Sequence, residues 1–475
     1  MNLNIKSLFL TVMIVGGFIY FCFQADQIPG ISSYIGGEPY GPQSTLEPKG
    51  PIAQSHLDSF MLSLWVAALL CITVGGPLVY AMFAFKEKPG FDPKKDQFPR
   101  QTHGNTIVVL GLIGYSMVLL ILIAFLPFGK MKIPALAAIP YFFEGKTNLA
   151  GVPSLESEED PLEINVTGHQ WWFSFHYPEF GIVTSNEFVF PTHKAVKINL
   201  ETEDVMHSFW LAKIAGQVDL IPGQTNHMWL YTEEEGNYSG QCAEFCGDSH
   251  AYMLFRGIAT SQDKFEQWIK SQTRMPKIEN KDDGTYLSFN GDPPRKLTAL
   301  EALGEKLYNG KAIPAKLKEM GHKTNGVSCN RCHIFGAMPH PKWPNPNLNH
   351  LAERNTIAAG WRNLNAEQLK TWIQQPGKVK PGNRMWRDFA TVYKVIDANT
   401  TETLFNRNQT RENAHYRFFT TEEANALAAF LLTLKDPQAP DWGEPPLTEK
   451  KKSDYRKTAQ LRLDQESSTH KLARN

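Results

Sequence analysis

The sequence predicts a multidomain chain: a transmembrane helical hairpin, then a β-sandwich, then a small all-α domain. Two long apolar stretches near the start, short β-branched runs broken by Gly, Pro and Asn in the middle, and a Cys-x-x-Cys-His motif set among helical patterns near the end lead to that reading. A length of 475 residues exceeds what one core usually serves. Lys plus Arg and Asp plus Glu both total 48, so no field of one sign points to nucleic acid or another polyanion, and any charged docking surface is local.

Residues 8–23 are apolar behind Lys6, and segment 1–24 reads as either a cleaved signal peptide or an N-terminal transmembrane anchor. Cys22 there follows Phe-Ile-Tyr-Phe, which lacks the small residues of a cleavage site. The runs 60–83 and 106–126 are long enough to span a bilayer and define a hairpin over 55–130. Their connection, 86–100, holds Lys86, Lys88, Lys94, Lys95 and Arg100, which places it in the cytoplasm and all that follows the hairpin outside. His56 and His103 fall at the edges of these runs, so the hairpin cannot itself clasp a haem between paired imidazoles.

From 155 to 272 the pattern becomes that of a β-sandwich, with runs such as Glu163-Ile164-Asn165-Val166, Trp171-Trp172-Phe173 and Phe188-Val189-Phe190. Of six cysteines, Cys22 and Cys71 lie in apolar runs, while the other four form two close pairs, a usage typical of metal, haem or redox sites. Cys242 and Cys246 stand with His250 and Met253 on one stretch, and His207 lies upstream in Val-Met-His-Ser-Phe-Trp. Thiolates and imidazoles select copper or zinc, and the thioether of Met253 favours copper. A loop folding these groups around one point would let both thiolates bridge two metal ions. An isolated Cys-x-x-x-Cys reads more simply as a structural zinc site or a disulfide, but His207, His250 and Met253 argue against that.

Residues 273–295 are rich in Lys, Asp, Asn, Gly and Pro and read as a linker. In the domain at 296–437, Cys329-Asn330-Arg331-Cys332-His333 is the c-type haem attachment pattern, with helical periodicity at 297–308, 366–374 and 421–434. Met385, after the Pro381-Gly382 turn, is the expected sixth iron ligand. Met338 is too close in sequence to His333, and His340 and His350 are alternatives that would lower the haem potential. The segment 438–475 reads as a charged, disordered tail, and Lys311, Lys316, Lys318 and Lys323 as solvated.

Asp204-Val205-Met206-His207-Ser208-Phe209-Trp210, Asp219-Leu220-Ile221-Pro222-Gly223 and Gly240-Gln241-Cys242-Ala243-Glu244-Phe245-Cys246-Gly247 resemble subunit II of haem-copper cytochrome oxidases. The resemblance implies a cupredoxin-like fold for the sandwich and a binuclear CuA centre in it. Cys242 and Cys246 would bridge, His207, His250 and Met253 would be side-chain ligands, and the carbonyl of Glu244 would complete the set. The side chain of Glu244 would face a magnesium site shared with subunit I. Gly168-His169-Gln170-Trp171-Trp172 is similar to the family's aromatic motif, which gives Trp171 the role of electron entry point.

The segments 346–351, 356–360 and 381–385 resemble the class I cytochrome c domain fused to subunit II in caa-type oxidases, although Trp386 stands where that family usually has Pro. Together the resemblances imply a subunit that relays electrons from cytochrome c or another extracytoplasmic donor through haem c and CuA to subunit I, where oxygen is reduced. They imply a multi-pass protein of the bacterial inner membrane, in contact with lipid, subunit I and other oxidase subunits, with both soluble domains on the periplasmic side and no nucleic-acid partner. A CuA-bearing subunit of a nitric oxide reductase and a membrane-anchored copper carrier are the alternatives. A quinol-oxidising relative need not keep the copper ligands, all of which are present here.

Overall fold

The computed structural model describes residues 13, 43–85, 104–137, 161–319, 328–387 and 419–442. Most of segment 1–24, the basic connection 86–100, and the tail beyond 442 lie outside the described residues.

The apolar run 60–83 folds within a helix over Pro51–Ala84, with a π turn at Cys71–Gly75. It begins well before the apolar run because Pro51 follows an extended Gly50 and occupies the first turn, where a missing N–H is no loss. His56 therefore sits within the helix rather than ahead of it. The helix is long and apolar enough to cross a membrane, with a mean hydropathy of 2.1 and only 6% of its most apolar window buried. A second helix, Thr106–Ala137, packs beside it, and the hydroxyls of Thr73 and Tyr115 meet at 3.3 Å between the two.

The sandwich is built from two five-stranded sheets. One has the order β3-β2-β1-β5-β8, from Ile182–Ser185 (β3), Trp172–Tyr177 (β2), Leu162–His169 (β1), Val196–Thr202 (β5) and Asn226–Leu230 (β8). The other runs β4-β10-β9-β6-β7, from Glu187–Pro191 (β4), Leu254–Thr260 (β10), Gly236–Cys242 (β9), His207–Trp210 (β6) and Gln217–Leu220 (β7). β1 pairs with β5, and β4 with β10, in parallel, while the other pairings are antiparallel. Alternation along β1 sends Leu162, Ile164 and Val166 inward. Between the sheets lies a slab of fully buried rings, Phe173, Phe175, Phe188, Phe209 and Phe255, with Phe209 and Phe255 stacked at 4.3 Å. This is the β-sandwich that the sequence pattern leads one to expect, of the cupredoxin-like kind that the resemblance implies.

The stretch read as a linker is structured. Pro276–Lys281 (β11), Gly284–Phe289 (β12) and Arg295–Lys296 (β13) form a three-stranded antiparallel sheet turning at Asp282-Asp283-Gly284. Thr285, Leu287 and Phe289 point inward along β12, and Leu287 joins the second core. The polar residues that suggested a linker are the outward half of a two-sided sheet.

That second core gathers the helices Ala299–Tyr308, Ala366–Gln374 and Thr421–Leu431. Capping boxes start the first and last of these, Thr298 with Glu301 and Thr420 with Glu423. The same two helices cross at Gly304, where a Cβ would lie 2.0 Å from the carbonyl oxygen of Ala426, so only glycine permits the contact. The region is not purely helical, since Thr356–Ile357 (β14) pairs with Arg362–Asn363 (β15).

The two bodies interlock through β3, β4 and β10. Asn347 donates from its backbone N–H to the Ser185 hydroxyl (3.1 Å) and from its side chain to Val183 O (3.0 Å), while Leu254 N donates to Ala359 O at 2.9 Å. Met338 is part of this seam, its sulfur accepting from Val183 N at 3.3 Å. Glu187 is buried and accepts from Asn355 N at 3.1 Å, Thr356 N at 2.7 Å and the Thr356 hydroxyl. Burial pushes the Glu187 carboxyl above the ordinary carboxylate range, against the donors of Thr356 and Asn355 and the charges of Arg354 and Arg256.

A raised folded value means the folded protein holds this proton more tightly than the unfolded chain. Its contribution to stability is full below the unfolded value and is lost as pH rises through the folded one. Thermal unfolding of the native chain in detergent should therefore lose stability over that window relative to Glu187→Gln, and parallel curves for the two proteins would show that Glu187 does not titrate there.

Candidate metal centre

The β9–β10 pairing places Cys242 and Met253 at the two mouths of one loop, closed by Cys242 N donating to Met253 O at 2.9 Å. The loop turns back through a short 3-10 helix at His250–Tyr252. Beside β9 runs β6, where Phe209 faces Cys242 and His207 begins the strand.

All the ligand candidates read from the sequence converge here. The Cys242 and Cys246 sulfurs are 3.8 Å apart, too far for a disulfide at about 2.05 Å, and both thiols are free. His207 Nδ1 lies 3.9 Å from the Cys242 sulfur, His250 Nδ1 3.6 Å and the Met253 sulfur 3.8 Å from that of Cys246, and the carbonyl oxygen of Glu244 3.3 Å from that of Cys242. Separations near 3.7 Å are the edges of a tetrahedron around a metal with bonds of about 2.3 Å to sulfur. His207, Cys242 and Cys246 alone already satisfy the spacing of a metal site. Met253 and His207 are fully buried and Cys246 is 3% exposed, so the centre is dry.

Two thiols at this distance cannot ionise independently. The hydrogen bond from Cys246 holds the Cys242 thiol far below its ordinary value, with help from His207, and the same thiolate together with burial pushes Cys246 upward. Burial works to lower the His207 imidazole, but its bonds to Asp204 and Cys242 prevail and raise it.

Asp204 is the main contributor that the motif reading did not single out. Its Oδ1 lies 2.8 Å from His207 Nε2, which fixes the ring so that Nδ1 faces the thiols, the usual carboxylate–imidazole support of a metal ligand. Position three residues before a ligand histidine was the available signal.

Trp171 is 6% exposed and donates its indole N–H to Cys246 O at 2.9 Å, while the Gln170 side chain donates to the same oxygen at 2.8 Å. The Glu244 side chain is half-buried. From the second body, Lys380 donates to Trp171 O. Burial pushes the Lys380 ammonium down to about 7, against the pull of the Cys246 and Cys242 thiols.

The Cys329–His333 segment forms a single turn, with His333 N donating to Cys329 O at 2.8 Å. His333 Nδ1 donates to Pro346 O at 2.8 Å, which leaves Nε2 as the nitrogen open to a metal. Trp343 Nε1 holds Cys332 O and the Tyr308 hydroxyl holds His333 O. Met385 packs half-buried against the same core as Cys329 and Phe335. His350 is tied at Nδ1 to Glu353 Oε1 (2.7 Å), and the exposed His340 accepts from Lys342 N at 3.2 Å.

The family model for the periplasmic domain of cytochrome c oxidase subunit II matches residues 181–257. Curated relatives include cytochrome c oxidase subunit 2 of Alkalihalophilus pseudofirmus, 30% identical over 342 residues that make up 72% of this chain and 84% of the relative. The Bacillus subtilis protein of the same description is 27% identical over 370 residues, 77% of this chain and 90% of the relative. Among solved structures, the periplasmic domain of subunit II of cytochrome oxidase from Bradyrhizobium japonicum is 28% identical, covering 24% of this chain and 95% of that one, with a TM-score of 0.24.

Replacing Asp204 by Asn keeps the shape of the support but removes its charge. Competitive titration should find metal affinity lowered about 10- to 100-fold with both thiols still reactive, and unchanged affinity would show that Asp204 does not orient His207.

Proposed function

Because this chain belongs to the cytochrome c oxidase subunit 2 family and so to an oxidase complex, we propose that it is the electron-input subunit, carrying a binuclear copper centre and a covalent haem c. The carrying observation is the dry cluster of two free thiols, two imidazole nitrogens, a thioether and a backbone carbonyl around one point. Cys242, Cys246, His207, His250 and Met253 would hold the coppers together with the Glu244 carbonyl, and the Glu244 side chain would face a magnesium ion shared with subunit I. The thioether favours copper over zinc.

A copper pair held here would supply one-electron uptake and release. The residues around it contribute geometry and a dry setting. Asp204 holds the His207 ring, Gln170 and Trp171 hold the loop at Cys246 O, and burial of His207 and Met253 keeps water from reorganising when the charge changes. Trp171, in contact with Cys246 O, would receive electrons for the centre.

In the second body, Cys329 and Cys332 would bind the haem, and His333 and Met385 would hold its iron. The fit rests on the two thiols, neither of them in a disulfide, the His333 ring oriented by Pro346 O, and Met385 on the adjoining core. The helix Pro51–Ala84 and its neighbour Thr106–Ala137 would anchor the chain as a two-pass hairpin in the inner membrane, with both soluble bodies on the outer side, facing an extracytoplasmic donor such as cytochrome c. The named relatives are oxidase subunits, which disfavours the nitric oxide reductase and carrier readings.

Elemental and haem analysis combined with electron paramagnetic resonance tests this directly. We expect two coppers sharing one unpaired electron and one covalent haem per chain; a single copper, a zinc, or no haem would overturn the corresponding half. In Met385→Ala the methionine-to-iron absorption band should vanish while the copper signal stays; absence of that band already in the native chain would pass the ligand role to His340 or His350, and a band that survives the substitution would pass it to another methionine.

A further inference from the structure

Each imidazole of the centre is held from behind, but in a different way. His207 has the Asp204 carboxylate at 2.8 Å, whereas His250 has no such partner among the described residues and takes its place from the backbone turn that carries it. That turn is a short ladder in which His250 N donates to Gly247 O at 3.0 Å, Tyr252 N to Ser249 O at 3.0 Å and Met253 N to His250 O at 3.1 Å. Tyr252 stands between two of the ligand candidates, and its ring meets that of Trp361 edge-on, with centres 4.7 Å apart and planes at 77°. The Arg362 guanidinium lies 5.5 Å from the centre of the same indole.

Trp361 is delivered to this place by a strained hairpin. Between β14 and β15, Ala358 and Ala359 adopt φ of +54° and +59° and Gly360 of +73°. Two successive alanines in the left-handed region persist only where their surroundings over-determine them. The surroundings here are the strand that leaves the metal loop. Leu254 N donates to Ala359 O at 2.9 Å, Arg256 Nη2 donates to Gly360 O at 3.3 Å, and a Cβ on Gly360 would lie 2.9 Å from the carbonyl carbon of Leu254. At the base of the hairpin Glu187 accepts from the N–H groups of Asn355 and Thr356. With both ends fixed to the sandwich, the hairpin holds the indole against Tyr252.

We infer that Trp361 is a positioning residue for the metal centre, fixing through Tyr252 the turn that sets His250 and Met253, as Asp204 fixes His207. The inference rests on the proposed copper site. It makes affinity for the metal a property of both bodies, since a side chain of one steadies ligands carried by the other.

Cuprous ion titrated into the metal-free full chain in detergent, against a chromophoric chelator, tests this. Trp361 is 37% exposed, so replacing it leaves no enclosed cavity. Trp361→Ala should bind cuprous ion about tenfold more weakly, and Trp361→Phe, which keeps an aromatic ring on Tyr252, should restore the native affinity. Ser185→Ala, which removes the bond from Asn347 N elsewhere on the seam, should bind as the native chain does. Native affinity in Trp361→Ala, or an equal loss in Ser185→Ala, would overturn the positioning role. Amide hydrogen exchange of the metal-free chain separates this outcome from the copper reading. The Tyr252 and Met253 amides should exchange several-fold faster in Trp361→Ala, with that of Ile258 in the β10 ladder unchanged. A native chain that takes up no cuprous ion would sink the copper site, whereas unaltered exchange in Trp361→Ala would sink the clamp itself.

Discussion

The antiparallel pairing of β9 with β10 is the constraint on which the candidate centre depends. Because the ladder runs to Gln241 opposite Leu254 and is extended by the bond from Cys242 N to Met253 O, the intervening residues must fold back on themselves. The sulfurs at the two mouths of the loop are thereby brought to one place, and Cys246 and His250 enter from within it. The neighbouring strand β6 starts at His207, on the same side as its pairing partner for the loop. Beneath them the ring slab, in which Phe255 follows directly on the loop and stacks on Phe209, gives the strands a rigid floor. The centre is therefore a property of strand register, since a slip of one residue would turn Cys242 away from it.

Burial sets the energetics of the same place. An imidazole and two thiols removed from water need partners, and without a cation those partners are one another and Asp204. The result is a set of strongly opposed preferences, one thiol held as thiolate and its neighbour held protonated. A positive ion at the centre relieves all of them together, so on the proposed reading metal binding also stabilises the sandwich.

Much of this was legible in the sequence, and the pattern of what was not is physical. Four of the candidate ligand side chains lie within twelve residues and announce themselves by their soft chemistry, and the apolar helices and the sandwich show through length and alternation. The sheet at 276–296 was hidden because each outward position carries a charged or polar group, leaving too few apolar residues to reveal a strand. Pro51 hid the helix start by resembling a breaker while serving as a first-turn residue. Glu187 and Lys380 were illegible for a different reason. Their roles are defined by groups 169 and 209 residues away in the chain, and nothing local in either residue signals a buried partner.

The long-range contacts also bear on why two electron-carrying bodies would share one polypeptide. Separate carriers must find each other by diffusion, usually steered by complementary surface charge, and the geometry of transfer is remade at each encounter. Here the seam from Asn347 to Gly382 holds the second body against the sandwich through backbone and buried side-chain bonds, so the local concentration of one for the other is set by the fold. Steering charge is then unnecessary at this seam, and what it contains instead is a buried carboxylate, a buried ammonium and close-packed glycine backbone. Such groups would be poor choices for an interface that opens to water at every turnover, because each opening would have to rehydrate and then strip them again. The chemistry of the seam is that of a permanent joint.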